Sequence, residues 1–136
     1  MRIYFSCSLT GGRQDQPVYA ALVQHLQDAG HEVLTAHLAG PQVLVQDDAL
    51  DPVAIYDRDT AWIEACEVVI AEVTTPSHGV GFEIAYALDR NKPVACLFRA
   101  GTRVSKMITG NRTAGLEVHA YEDPEHAARI LDGFLG

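Results

Sequence analysis

The chain has 136 residues, 48% of them apolar, enough for one domain spanning 1–136 with its own hydrophobic core. Eighteen Asp and Glu against ten Lys and Arg leave a net charge of −8, a field that repels a nucleic acid polymer but not a small anion held by backbone N–H groups. No segment approaches the roughly 20 apolar residues of a membrane span, and Met1 leads straight into a strand-like segment with no secretory pattern. Cys7, Cys66 and Cys96 form neither a metal pattern nor a disulfide framework, so a cytoplasmic location is expected.

In chain order, Arg2 to Ser6 reads as a strand. Tyr19, Leu22, Val23 and Leu26 recur at i, i+3, i+4 and i+7 and mark one face of a helix, which Ala29-Gly30 ends. Glu32 to Leu38 reads as a second strand, and residues 39–52, with Gly, Pro and several Asp, as a long loop. A helix over Val53 to Cys66 precedes the apolar run from Glu67 to Val73, which has the pattern of a central parallel strand. Val80 to Arg90 reads as a helix and Val94 to Phe98 as the fourth strand. Residues 99–115 surround a short helix at Val104 to Ile108, Leu116 to Tyr121 is the fifth strand, and Ala127, Ile130, Leu131 and Phe134 return to helical spacing.

Strands alternating with helices imply an α/β fold, a parallel sheet covered on both faces. Right-handed crossovers predict a doubly wound, flavodoxin-like sheet with strand order 2-1-3-4-5. Its switch point lies between strands 1 and 3, so the loops after those strands should line a ligand site.

The loop after strand 3, Ser77-His78-Gly79-Val80-Gly81-Phe82-Glu83, therefore carries a carboxylate to the edge where ligands bind. Gly79 and Gly81 suit either close approach of a ligand to the backbone or a tight turn, and Glu83 suits either chemistry or the start of a helix. The loop after strand 1, Ser6-Cys7-Ser8-Leu9-Thr10-Gly11-Gly12-Arg13, has the small, hydroxylated and basic residues that hold an anionic group, although an ordinary turn would also use them. Ile55, Asp59, Trp62 and Ile63 share one helix face, so Asp59 should point inward with the apolar residues. A carboxylate there is either paired with a neighbour or used, and desolvation would suit it to proton donation. His37 at the end of strand 2 could reach the pocket mouth or serve the structure. Tyr4 reads as core, and His78 as solvent-facing. His25, His31, His119 and His126 have no metal-like spacing, and Glu72 has no assignable role.

Taken together, Ile3-Tyr4-Phe5 with Ser8 and Gly11-Gly12-Arg13, Leu34-Thr35-Ala36-His37, Asp59-Thr60-Ala61-Trp62, Ala71-Glu72-Val73-Thr74 with Pro76-Ser77, Gly79-Val80-Gly81-Phe82-Glu83, Cys96-Leu97-Phe98-Arg99 and Ser105-Lys106-Met107-Ile108 resemble the 2′-deoxynucleoside 5′-phosphate N-hydrolases, which belong with the nucleoside 2-deoxyribosyltransferases. The resemblance runs from residue 3 to about residue 121.

It implies an N-glycosidase that cleaves deoxynucleoside monophosphates to free base and 2-deoxyribose 5-phosphate, with neither cofactor nor metal. Glu83 matches the family's nucleophile, Asp59 its acid/base, and Tyr4 a tyrosine beside the nucleophile and sugar. Ser77 and Ser105 match phosphate-contacting serines, the second supplied by the other subunit of a homodimer. The segment Cys7, Ser8, Leu9, Thr10, Gly11, Gly12, Arg13, with His37, Gly79, Gly81, Lys106 and Met107, matches substrate-lining positions. Cys7 stands where the family has Gly and Thr10 where it often has Arg, a change that bears on phosphate affinity and base preference. Base exchange by a deoxyribosyltransferase and a non-catalytic nucleotide-binding module are the alternative expectations.

Overall fold

The computed structural model describes residues 1–9, 14–41 and 47–136. Thr10, Gly11, Gly12 and Arg13, expected in the first substrate loop, lie outside the described residues, as do 42–46 of the expected long loop. Five strands form one parallel sheet: β1 (Arg2–Ser6), β2 (Glu32–Val33), β3 (Val68–Glu72), β4 (Val94–Arg99) and β5 (Leu116–Tyr121). Their spatial order is β2-β1-β3-β4-β5, as the alternation of strand and helix predicts. The longer helices are α1 (Gln16–Asp28), α2 (Pro52–Ala65), α3 (His78–Asp89) and α5 (Pro124–Leu135), with a single-turn α4 (Lys106–Thr109) between β4 and β5.

Local chemistry sets where these helices begin and end. Asp51 caps α2 by accepting the Ala54 N–H at 2.9 Å, Ser77 caps α3 by accepting the Val80 N–H at 3.3 Å, and Asp123 caps α5 by accepting the His126 N–H at 2.7 Å. Pro52 and Pro124 occupy first-turn positions, where a missing N–H is harmless. At the end of α1 the Gly30 N–H reaches the Gln27 carbonyl and the His31 N–H reaches the Leu26 carbonyl. That closing pair needs a left-handed residue, and Gly30 supplies it at φ +88°.

Alternating side chains divide the interior in two. Ile3, Phe5, Val68, Ile70 and Leu97 face α1 and α5, whereas Tyr4, Val69, Ala71, Val73 and Cys96 face α2 and α3. β3 is buried at every position, as a central strand covered on both faces must be.

Two expectations are corrected. The second strand does not run to Leu38: it stops at Val33, and Ala36–Ala39 is a 3₁₀ turn carrying His37. The Thr35 hydroxyl takes over the pairing with β1, accepting the Phe5 N–H at 2.8 Å and donating to the Phe5 carbonyl at 2.7 Å, so the backbone is free to turn. The third helix, α3, also starts earlier than Val80. His78 and Gly79 are already helical, and neither Gly79 nor Gly81 has the positive φ that a tight turn would need.

Candidate active site

Glu83 sits one turn into α3 and points back over the carboxyl edge of the sheet toward β1. There the Tyr4 phenol donates a hydrogen bond to Glu83 Oε2. Burial raises the Glu83 carboxyl to about 7, with the nearby Asp59 carboxylate adding to the rise and the Tyr4 bond opposing it. The Tyr4 phenol is itself pushed upward by burial and by Glu83, so it remains a donor. Ser6 lies two residues along β1 on the same face as Tyr4. Its hydroxyl is buried without a well-formed hydrogen bond among the described residues, yet lies close enough to Glu83 to favour the ionised carboxylate.

Asp59, on α2, and Glu83, on α3, line one cavity of about 460 Å³, together with Ile55, Tyr56, Thr60, Ile63, Gly79 and Phe82. A Cβ on Gly79 would stand 3.7 Å from Glu83 Oε1, so the glycine leaves that oxygen open to a ligand. Asp59 is not an isolated inward carboxylate. Arg58 Nε donates to Asp59 Oδ1 at 2.8 Å while Nη1 and Nη2 donate to Asp47 at 3.2 and 3.4 Å. Burial alone would lower the Arg58 guanidinium, but these two carboxylates raise it overall. Its Cζ lies 5.0 Å from the centroid of the Trp62 ring, within cation–π range. Trp62 in turn meets His37 edge-on at 5.6 Å. Burial, with help from Arg58, lowers the His37 imidazole and keeps it neutral near pH 7. His37 Nε2 has no hydrogen-bond partner among the described residues.

The remaining expected residues divide between places. Cys7 and Ser8 are buried just past β1, with the Cys7 thiol 3.9 Å from the Leu38 carbonyl, and Leu9 packs against the α1-side core. Ser77, Gly81, Ser105 and Met107 line a second cavity of about 600 Å³ on the far side of the α3 N-terminus, which Glu83 and Asp59 do not line. Ser105 caps α4, accepting the Met107 N–H at 3.2 Å, while Lys106 and Met107 are exposed. Within the chain, therefore, Ser105 shares a cavity with Ser77 but not with the carboxylate pair.

Nothing in the sequence pattern singles out Arg58 and Asp47, and Ser6, read with the anion-holding loop, stands instead beside Glu83. Strand alternation from Tyr4 would have found Ser6. Nothing local marks Arg58, because neighbours one apart on a helix do not ordinarily face each other and only its long side chain folds back to Asp59.

A family model described as nucleoside 2-deoxyribosyltransferase matches residues 3–127. A Danio rerio protein named 5-hydroxymethyl-dUMP N-hydrolase is 41% identical over 139 residues, covering 99% of this chain and 96% of its own. A Trichoplax adhaerens protein, provisionally named 2′-deoxynucleoside 5′-phosphate N-hydrolase 1, is 42% identical over 133 residues, covering 94% and 89%. Among solved structures, a Clostridium botulinum CMP N-glycosidase shares the fold with a TM-score of 0.76 at 20% identity, covering 98% of this chain and 99% of that one. With most of the chain matched at this level, the protein belongs to the nucleoside 2-deoxyribosyltransferase family.

Proposed function

We propose that this chain hydrolyses the N-glycosidic bond of 2′-deoxynucleoside 5′-monophosphates to free base and 2-deoxyribose 5-phosphate. The observation that carries the reading is the pair of carboxylates, Glu83 and Asp59, lining one cavity at the sheet edge with the Tyr4 phenol on Glu83. Similarity to proteins named as N-hydrolases of deoxynucleoside monophosphates supports the substrate class.

Glycosidic cleavage passes through an oxocarbenium-like sugar, and paired carboxylates suit it. Glu83, once ionised, attacks C1′ and forms a glycosyl ester while the C1′–N bond breaks. Asp59 gives a proton to the departing base and then takes one from the water that hydrolyses the ester. Tyr4 orients Glu83 and supplies the hydrogen bond that favours its charge. With no 2′-hydroxyl to withdraw electrons, the sugar cation forms more easily. The 5′-phosphate is an anchor, held by Ser77 and by the segment that begins at Cys7, and its binding contributes to the reacting geometry.

The active unit in this reading is a homodimer in which Ser105 and Met107 of each subunit complete the partner's site. Two observations support it. Ser105 and Glu83 line separate cavities in one chain. Met107 is 83% exposed, and Val53 (68%), Tyr56 (52%) and Phe82 (49%) form an exposed apolar face on α2 and α3 that a second copy would cover. The three cysteines are buried and free, which suits the reducing cytoplasm.

The test is incubation with a panel of deoxynucleotides, ribonucleotides and nucleosides, with free base measured by chromatography. Release of base from deoxynucleoside monophosphates is expected. If the matching nucleosides react faster, or if an added second base captures the sugar, base exchange is the activity instead. Fully active monomers in sedimentation would remove the shared site.

A further inference from the structure

Behind the proposed site, on the opposite side of the sheet, a second set of polar side chains joins three segments at the carboxyl edge. Asp15, at the residue before α1, has a side chain only 4% exposed. Its carboxylate accepts a hydrogen bond from the Arg99 guanidinium at the end of β4 and, at 2.8 Å, from the Thr75 hydroxyl between β3 and α3. Gln14 Nε2 donates to the same Thr75 hydroxyl at 3.4 Å. The Arg99 N–H donates to the Thr74 hydroxyl at 2.9 Å, and the Thr74 N–H donates to Glu72 Oε1 at 2.7 Å. Glu72 is fully buried, and its other oxygen faces the Tyr121 hydroxyl at 3.4 Å.

None of these groups lines the cavity of Glu83 and Asp59. They do sit where the chain enters α1 and where it approaches Ser77. The Asp15 carbonyl also accepts the Val18 and Tyr19 N–H groups that begin α1. One buried carboxylate thus ties the start of α1 to Thr75, two residues before Ser77. A buried charge held by a guanidinium and a hydroxyl fixes direction as well as distance, because moving either partner leaves the carboxylate unmatched.

We infer that Asp15, Thr75 and Arg99 are positioning residues for the phosphate end of the substrate, a brace that holds the segment bearing Ser77 against the start of α1 and the end of β4. This rests on the deoxynucleotide reading above. The brace touches neither sugar nor base. Its loss loosens the grip on the phosphate and leaves the carboxylate chemistry intact. The consequence is a fall in kcat/KM for the 5′-monophosphate, and no change for the nucleoside, which has no phosphate to misplace.

The test compares wild type with Asp15→Asn, Thr75→Val and Arg99→Lys on one deoxynucleoside and its 5′-monophosphate, with melting temperatures in parallel. Wild type is expected to prefer the monophosphate. Asp15→Asn should lower that preference about tenfold, the effect of weakening binding by one strong interaction. Thr75→Val, which removes a single hydroxyl, should show a smaller loss of the same sign, and Arg99→Lys should retain part of the preference because it keeps the charge. Inorganic phosphate should inhibit wild type more strongly than Asp15→Asn. A wild type without preference overturns the deoxynucleotide reading and the brace with it. A wild type with preference, beside folded variants whose preference is undiminished, overturns the brace alone, as does a preference that falls only in step with melting temperature. Should Asp15→Asn fail to fold, Thr75→Val decides by the same ratio.

Discussion

The two sides of the sheet's carboxyl edge hold carboxylates in opposite circumstances. On the α1 side, Asp15 is nearly inaccessible and matched by Arg99 and Thr75. On the α2 and α3 side, Glu83 has no cationic partner in direct contact among the described residues and bonds the Tyr4 phenol, with Asp59 across the same cavity. The matched carboxylate spends its charge holding segments together. The unmatched one is raised to about 7 by burial and is poised to change its charge under ordinary conditions. A carboxylate at a sheet edge is thus not informative until its partners are known, since Asp15 on one side is matched by a guanidinium and Glu83 on the other, among the described residues, is not.

The widest gap between the two sides should appear in turnover. Glu83→Gln is expected to reduce base release by on the order of 10⁴-fold or more, as loss of a nucleophile does, in a protein whose circular dichroism is unchanged. Substantial activity in that variant would place the nucleophile elsewhere. Asp59→Asn should cost on the order of 10²–10⁴-fold, the usual worth of a positioned acid/base. Leaving groups that need no proton should suffer less from that change than ordinary bases, and an equal loss for both would remove the proton-donor role.

Stability should move the other way. Because the folded-state pKa of Glu83 lies above the 4.5 of an unperturbed Glu, the folded protein holds this proton more tightly than the unfolded chain. The folded state is therefore favoured most at low pH and loses that advantage as pH rises from about 4.5 through 7. Glu83→Gln keeps an acceptor for Tyr4 and cannot ionise. It should be more stable than wild type at pH 8 by on the order of 1–3 kcal/mol, with the difference closing below pH 5. Urea unfolding at both pH values measures it, and a variant less stable at pH 8 would show that the Glu83 charge is better accommodated than the burial implies.

The smallest effect expected is a displacement of the pH profile. The acid limb of kcat/KM should lie near pH 7, with activity rising as Glu83 ionises. Tyr4→Phe removes the bond that favours the charge and should move that limb upward by about one pH unit or less. Ser6→Ala should move it in the same direction by less. A limb that stays in place in both variants would assign it to another group.

The strand order and the placing of Glu83 at the sheet edge were legible because they depend on local periodicity and on connection rules. The inward face of α2 was legible for the same reason, through Ile55, Asp59, Trp62 and Ile63. The length of β2 was not, since Glu32 to Leu38 has acceptable strand character and only the Thr35 hydroxyl, by bonding Phe5 across the sheet, ends the strand. Asp59 was legible as an inward-facing acid but not as the partner of Arg58, because that contact depends on a flexible side chain and on Asp47 coming close from outside the helix.

By itself, then, the sequence determined the alternation of strands and helices, the parallel order of the sheet and the edge at which a ligand would meet Glu83, because each follows from repeats of two or about four residues and from the handedness of crossovers. Tertiary structure alone decided which carboxylates are matched. Tyr4 meets Glu83 across 79 positions of chain and Asp15 meets Arg99 across 84. No short-range pattern encodes such pairs. They exist because parallel strands bring β1, β3 and β4 into register and lift the ends of distant segments to one edge, where burial and the nearest donor fix the charge of each carboxylate.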